Sequence, residues 1–136
     1  MCLRGSSEVG KAVLAKQPDD RLRAYVVWVP QLGGQEKDVP VATRFVPDAR
    51  ATHYWDGTGG TMRGYRATLG IPEDAWDVYL VYGPEARWDR DLPPKPVYWM
   101  HQLGSPDEPR VNRPYLDPDV FAAQVGRVLN GTEVGQ

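Results

Sequence analysis

The sequence of 136 residues contains one cysteine, Cys2, and two histidines, His53 and His101. A single cysteine excludes an internal disulfide and excludes a two-thiol redox cycle within one chain. A zinc site usually needs three or four ligands, and the chain has no close histidine pair, so no metal site is expected. We therefore expect a fold held by packing alone in a reducing compartment.

Long apolar runs and an excess of one charge are also missing. No segment approaches the roughly 20 apolar residues of a membrane helix, and the first ten residues lack the regions of a secretory signal. The formal net charge is −2, with 16 basic and 18 acidic residues interspersed. Binding to nucleic acid or to an anionic membrane is therefore not expected. The sequence predicts a soluble, cytoplasmic protein without a cofactor.

The chain does have the material for a core, because 41% of its residues are hydrophobic. Its length fits a single domain over residues 1–136. Apolar periodicity and stop signals predict eight elements: a helix ending near Gln17, a strand over 22–29, a short helix over 41–46 before Pro47, a strand over 51–56, a helix containing Met62, Tyr65 and Leu69 before Gly70, strands over 76–83 and 96–103, and a last helix from the Asp117-Pro118 cap to Asn130-Gly131.

Several of these patterns make finer predictions. Ser6 or Ser7 is expected to cap the first helix. Apolar side chains on both faces of residues 22–29 predict a strand that is covered on both sides. The strands over 76–83 and 96–103 are expected to pair antiparallel. Together the elements indicate an α/β fold with a mixed central sheet and helices on both faces.

The segments WVPQL, HYWD and WDVYLVYG, taken with the order of the elements, resemble the thioredoxin-like superfamily, especially its redoxin branch. The resemblance places Cys2-Leu3-Arg4-Gly5 at the family's Cys-x-x-Cys turn, with Gly5 where the second cysteine stands. It implies a thioredoxin-like topology that lacks the strand before the active-site turn. Residues 75–77 take the place of the family's cis-proline, and the nearest proline is Pro72.

Three hypotheses for function follow. The leading one is a degenerate thioredoxin-like domain that acts by binding or association rather than by dithiol redox catalysis. A second is a redox enzyme that uses Cys2, activated by the helix dipole and Arg4, with an external small-molecule or protein thiol as resolver. The third is a small-molecule binding module whose cleft is lined by Trp76, Tyr79, Trp99 and His101.

Two further segments bear on ligands and assembly. The glycine-rich residues 56–64 lack the Gly-Lys-Ser/Thr ending of a phosphate loop, and we interpret them as an ordinary strand-to-helix turn. A missing core strand would leave backbone groups unpaired, and a second copy of the chain can cover them, which predicts a homodimer. Alternatively, the proline-rich segment Asp91 to Pro96 shields the edge within one chain.

Overall fold

The computed structural model describes residues 2–134, which form two compact units, one up to Gly59 and one from Gly60 onward. A mixed α/β class is confirmed, whereas the single domain stays a prediction. The helices and strands of the two units are α1 (Leu3–Val9, continued as a π-helical segment Gly10–Leu14), β1 (Ala24–Trp28), α2 (Val39–Ala42, between 3-10 turns Glu36–Asp38 and Thr43–Phe45), β2 (Ala51–Trp55), α3 (Gly60–Leu69), β3 (Val78–Val81), β4 (Tyr98–His101) and α4 (Pro118–Leu129).

The predicted first helix is present, but its start differs from the expectation. α1 begins at Leu3 with Cys2 at the N-cap position, so the prediction of a Ser6 or Ser7 cap is wrong. The Ser6 hydroxyl lies inside the helix and donates to the carbonyls of Leu3, at 3.0 Å, and Cys2, at 3.1 Å. A serine hydroxyl that bonds back to the preceding turn is a common alternative to capping.

The strands of the first unit pair in parallel, with Ala24 opposite Ala51 and Trp28 opposite Trp55. This confirms both predicted strands but not the cover on both sides of the first. Trp28 is buried, whereas Tyr25 is 69% exposed and Val27 is 38% exposed on the opposite face. The expectation was wrong because aromatic and β-branched residues favour strands whether or not both faces are covered.

Arg50, just before β2, joins that strand to the end of the first helical segment. Its guanidinium donates to the carbonyls of Leu14 and Gln17, both at 2.6 Å, and of Asp19, at 3.0 Å. It also binds the Asp48 carboxylate at 2.9 Å, and only 17% of the Arg50 side chain is exposed. The hydrogen bonds from Arg50 lower the pKa of Asp48 to about 2.

In the second unit β3 and β4 pair antiparallel, as predicted, with Val78 opposite His101 and Val81 opposite Tyr98. One face of this pair meets α4, where the Tyr79 ring contacts Phe121 edge to face at 6.3 Å. The other face packs on a buried cluster, against which α3 places the partly buried side chains of Tyr65 and Leu69. The buried members of this cluster are Ile71, Ala75, Trp99, Leu103 and Val111. This pair therefore has helices on both faces.

The four strands do not form the predicted central sheet. They form two separate two-stranded sheets, β1–β2 and β3–β4. Along residues 2–134, each strand finds its hydrogen-bonding partner inside its own unit. Beside the end of β4 lies an irregular segment rather than another strand. The Leu116 amide of this segment donates to the His101 carbonyl at 2.7 Å.

The two long helices of the second unit match their sequence signals. The Asp117 carboxylate accepts hydrogen bonds from the amides of Asp119, at 3.0 Å, and Val120, at 3.1 Å, which caps α4. α3 ends before Gly70, whose φ of 65° lies in the left-handed region that glycine adopts without strain. The end of α3 and the start of α4 each lie within a residue of the predicted signals.

The proline-rich connection between β3 and β4 packs on α3. Thr68 of α3 donates its hydroxyl to the Pro93 carbonyl at 2.9 Å, and the Tyr82 hydroxyl donates to the Pro94 carbonyl at 2.8 Å. A Cβ atom added to Gly64 would stand 3.0 Å from Cδ of Pro93, so this glycine permits the close approach. These contacts place the connection against a helix.

We predict that Arg50→Lys lowers the stability of the first unit more than Arg21→Lys does. A lysine cannot reproduce the planar fork that reaches three carbonyls and a carboxylate. Arg21 also pairs with an aspartate, Asp19, but its side chain is 70% exposed, so it serves as the control. Urea unfolding followed by tryptophan fluorescence measures both losses, and equal losses would contradict the role given to Arg50.

The same comparison has an expected pH dependence. Because the pKa of Asp48 is lowered from 3.8 to about 2, its pairing with Arg50 stabilises the fold above pH 3.8 and is lost as pH falls through about 2. The stability difference between the wild type and Arg50→Lys should therefore shrink over that interval. A constant difference would mean that the carbonyl bonds alone account for it.

Candidate functional site

The four residues predicted to line one cleft all lie on or beside β3 and β4, but the structure does not bring all four to one face. Trp99 and His101 lie on one face of the strand pair, and Tyr79 lies on the other, against α4. Trp76 packs against the buried cluster that contains Trp99. Trp99 also lines a cleft, which is described below.

His101 is fully buried, with 0% of its surface exposed. Its Nδ1 accepts a hydrogen bond from the Leu103 amide at 3.0 Å, and its Nε2 lies 3.0 Å from the Arg113 carbonyl. One neutral tautomer satisfies both contacts, with Nε2–H as the donor to Arg113. Both ring nitrogens therefore make hydrogen bonds to the irregular segment after β4.

The Tyr79 hydroxyl is also used within the fold. It donates to Oδ1 of the buried Asp77 at 2.8 Å and lies 3.3 Å from the side-chain oxygen of Gln102. Nearby, the hydroxyls of Tyr65 and Tyr82 meet at 2.9 Å, and burial raises the pKa of both. These phenols stay protonated at neutral pH, where they act as hydrogen-bonding groups between chain segments.

Cys2 is half-buried at the N-cap of α1. Arg4, which was expected to add a positive charge near the thiol, bonds to Glu8 at 3.0 Å with 88% of its side chain exposed. The positive charge of Arg4 is thus balanced by a carboxylate one helical turn further on. Reactivity of Cys2 stays a prediction.

The second histidine, His53, lies in the first unit on β2. Its ring stacks on Trp28 with 6.1 Å between ring centroids, and its Nδ1 accepts from Trp28 Nε1 at 3.2 Å. The turn after β2 is closed by Asp56, whose Oδ1 accepts from the Thr58 amide at 3.1 Å and from its hydroxyl at 2.7 Å. Within residues 2–134, no three histidine, cysteine or acidic side chains cluster as a metal site would require.

The second unit has an open cleft that no sequence pattern predicted, with a volume of about 670 Å³. It lies between the end of α3, the start of β4 and the segment over residues 110–113. Its lining includes three cationic side chains and no acidic one. The lining residues are Thr68, Leu69, Gly70, Ile71, Pro72, Lys95, Pro96, Val97, Trp99, Arg110, Val111, Asn112 and Arg113.

Arg113 has the most constrained position of the three cations. Its guanidinium carbon stands 5.2 Å from the centre of the Trp99 ring. Its backbone is held from two sides, because its amide donates to the Val111 carbonyl at 2.9 Å and its carbonyl accepts from His101. The Nε atom is buried, and none of the residues from 2 to 134 accepts a hydrogen bond from it. Arg110 differs, since it bonds to Glu73 at 2.9 Å.

No periodic pattern in the sequence marks this cleft. Arg110 and Arg113 lie in an irregular segment, and the contact of Arg113 with Trp99 joins residues 14 positions apart along the chain. The available signal was the sequence RVNR between two prolines, following a strand that contains a tryptophan. That signal fits a solvated loop equally well, because arginines are mostly surface residues.

Comparison with known proteins gives no match: no family model, no curated protein and no solved structure is significantly similar to this chain. Along residues 2–134, the helices are all too short or too polar to cross a membrane.

We predict that His101→Phe destabilises the second unit strongly. The substitution keeps a ring of similar size but leaves the Leu103 amide and the Arg113 carbonyl without partners, at about 1–3 kcal/mol for each unsatisfied buried group. His53→Phe is the matched control, since His53 is only half-buried and water can replace its bonds. Urea unfolding measures both, and a loss for His101→Phe no larger than that of the control would contradict this role.

Proposed function

We propose that this protein is a small-molecule binding module whose ligand lies in the cleft of the second unit, which Trp99 helps to line. The observation that carries the proposal is the cleft itself. Its volume of about 670 Å³ falls within the range of ligand pockets, about 300–1,000 Å³. Its lining joins cationic and other polar groups to the apolar side chains of Leu69, Ile71 and Val97, so a small ligand can contact both kinds of group there.

The thioredoxin-like origin of the domain is also a proposal. The order of helices and strands supports it, as do the parallel pair β1–β2 and the antiparallel pair β3–β4. The separation of these pairs into two sheets does not support a thioredoxin-like origin, because that topology has one central sheet. With one cysteine in the chain, such a domain acts by binding rather than by a dithiol cycle of its own.

A ligand screen tests the binding function. Thiols, nucleotides and aromatic compounds are added to the protein, and a ligand at 100 times its Kd should stabilise the native state by about 2.7 kcal/mol. The expected result is a raised melting temperature with a shifted Trp99 indole resonance, assigned with Trp99→Phe. No stabilisation by any compound, or shifts confined to residues outside the cleft, would contradict the proposal.

A pair of variants controls that screen. Asn112→Trp places a large side chain at an exposed position that lines the cleft, so it should abolish the stabilisation by filling the site. Asp107→Trp makes a similar change at an exposed position outside the lining and should leave binding intact. Equal binding by the two variants would place the ligand elsewhere.

We also propose that the chain associates as a homodimer through the β1–β2 pair. Both outer edges of this pair have no strand partner in the part of the chain that the structure describes. One face exposes Tyr25, Val27 and Tyr54, the last at 49%. Parallel strands are normally covered on both faces. The side chains that β1 and β2 direct to this face carry no charge, so the same face of a second copy meets it without repulsion.

Tyr25→Asp should disrupt this dimer, because two copies of the new carboxylate would meet across the two-fold axis without partners. Leu92→Asp introduces the same charge at another exposed apolar residue and is the control. Light scattering over a wide concentration range gives the mass of each variant. A wild-type mass of one chain at high concentration would rule out the dimer, and a dimeric Tyr25→Asp would rule out this face.

A further inference from the structure

We propose that the cleft binds an oxyanion, a carboxylate or phosphate group carried on a small apolar body, and that Arg113 is the residue that holds it. This inference rests on the proposed binding function and names its ligand class. The first observation that supports it is the charge of the cleft. The residues that line the cleft include Lys95, Arg110 and Arg113 and no aspartate or glutamate.

Of these cations, Arg110 is already paired. Arg110 bonds to Glu73 at 2.9 Å, so its charge is balanced and its side chain forms part of the cleft wall. Within residues 2–134, no carboxylate forms an ion pair with Arg113 or Lys95. The cleft thus presents positive charge that the described part of the chain does not balance, and an anionic ligand would balance it.

The orientation of Arg113 favours a group with two acceptor oxygens. The guanidinium carbon of Arg113 lies over the Trp99 ring, 5.2 Å from its centre, and a cation–π contact leaves the N–H groups of the guanidinium able to donate. A carboxylate or a phosphate accepts two parallel hydrogen bonds from such a fork. The Nε atom is buried from solvent, so the terminal N–H groups of the guanidinium are the donors that would bind the ligand.

The site is also preorganised. The backbone of Arg113 is fixed by its bonds to Val111 and to the buried His101, so binding does not have to order the segment that carries the guanidinium. Less conformational entropy is then lost on binding, which raises affinity. Beside the cations, the apolar side chains of Leu69, Ile71 and Val97 also line the cleft. They provide a surface for the body of the ligand.

Three probes of similar size test this inference: benzoate, phenyl phosphate and the neutral benzamide. Each is titrated into the whole chain while the Trp99 indole resonance is followed. We expect benzoate or phenyl phosphate to bind and benzamide to bind at least about tenfold more weakly, as expected for losing a hydrogen bond to a charged group. Binding of benzoate alone assigns a carboxylate ligand, and binding of phenyl phosphate alone assigns a phosphate.

Substitutions then test the residue. Arg113→Gln should weaken anion binding about tenfold to hundredfold, and Arg113→Lys, which keeps the charge but loses the fork, should weaken it less. Arg90→Gln removes the same charge at an exposed position outside the cleft and should leave the affinity unchanged. Circular dichroism and the melting temperature establish that each variant is folded.

The outcomes separate the two proposals. If benzamide binds as tightly as the anions, or if Arg113→Gln binds them as tightly as the wild type, the oxyanion assignment is overturned while the cleft remains a binding site. If no probe and no compound of the wider screen shifts the Trp99 resonance, both proposals fail. Anion binding that Arg90→Gln weakens as much as Arg113→Gln overturns the assignment to Arg113.

Discussion

The constraint on which this structure depends is that long irregular segments must still satisfy their backbone hydrogen-bonding groups. The strands have only four or five residues, so ladders supply few of these bonds. Side chains supply further hydrogen bonds to these backbone groups. Arg50 binds carbonyls of the segment after the first helix, and His101 binds an amide and a carbonyl after β4. Tyr82 and Thr68 do the same for the proline-rich connection.

This constraint also shapes the candidate site. The ring of His101 holds the Arg113 carbonyl, and the guanidinium of the same arginine then lies on Trp99, two residues before His101 along β4. One strand therefore supplies both the ring over which the guanidinium lies and the group that fixes the arginine's backbone. The histidine positions the arginine, and the arginine faces the cleft.

Local signals in the sequence predicted most of the elements. Asp117 as a cap, Gly70 as a stop and the β-branched and aromatic runs around Tyr54 and Tyr79 act through neighbouring residues, so one sequence suffices to interpret them. Pairing into two sheets, the exposure of Tyr25 and the cleft depend on residues distant in sequence. The partners of His101, in an irregular segment without periodicity, have no local signature.

The burial of the His101 imidazole also controls how fast one of its protons exchanges with solvent. The Nε2 proton of His101 is sealed from water and bonded to the Arg113 carbonyl, so it can exchange with solvent only when the segment after β4 opens. Its lifetime is then the lifetime of that closed segment. Because Arg113 is carried by the same segment, a single imidazole proton reports how long the wall of the cleft persists between openings.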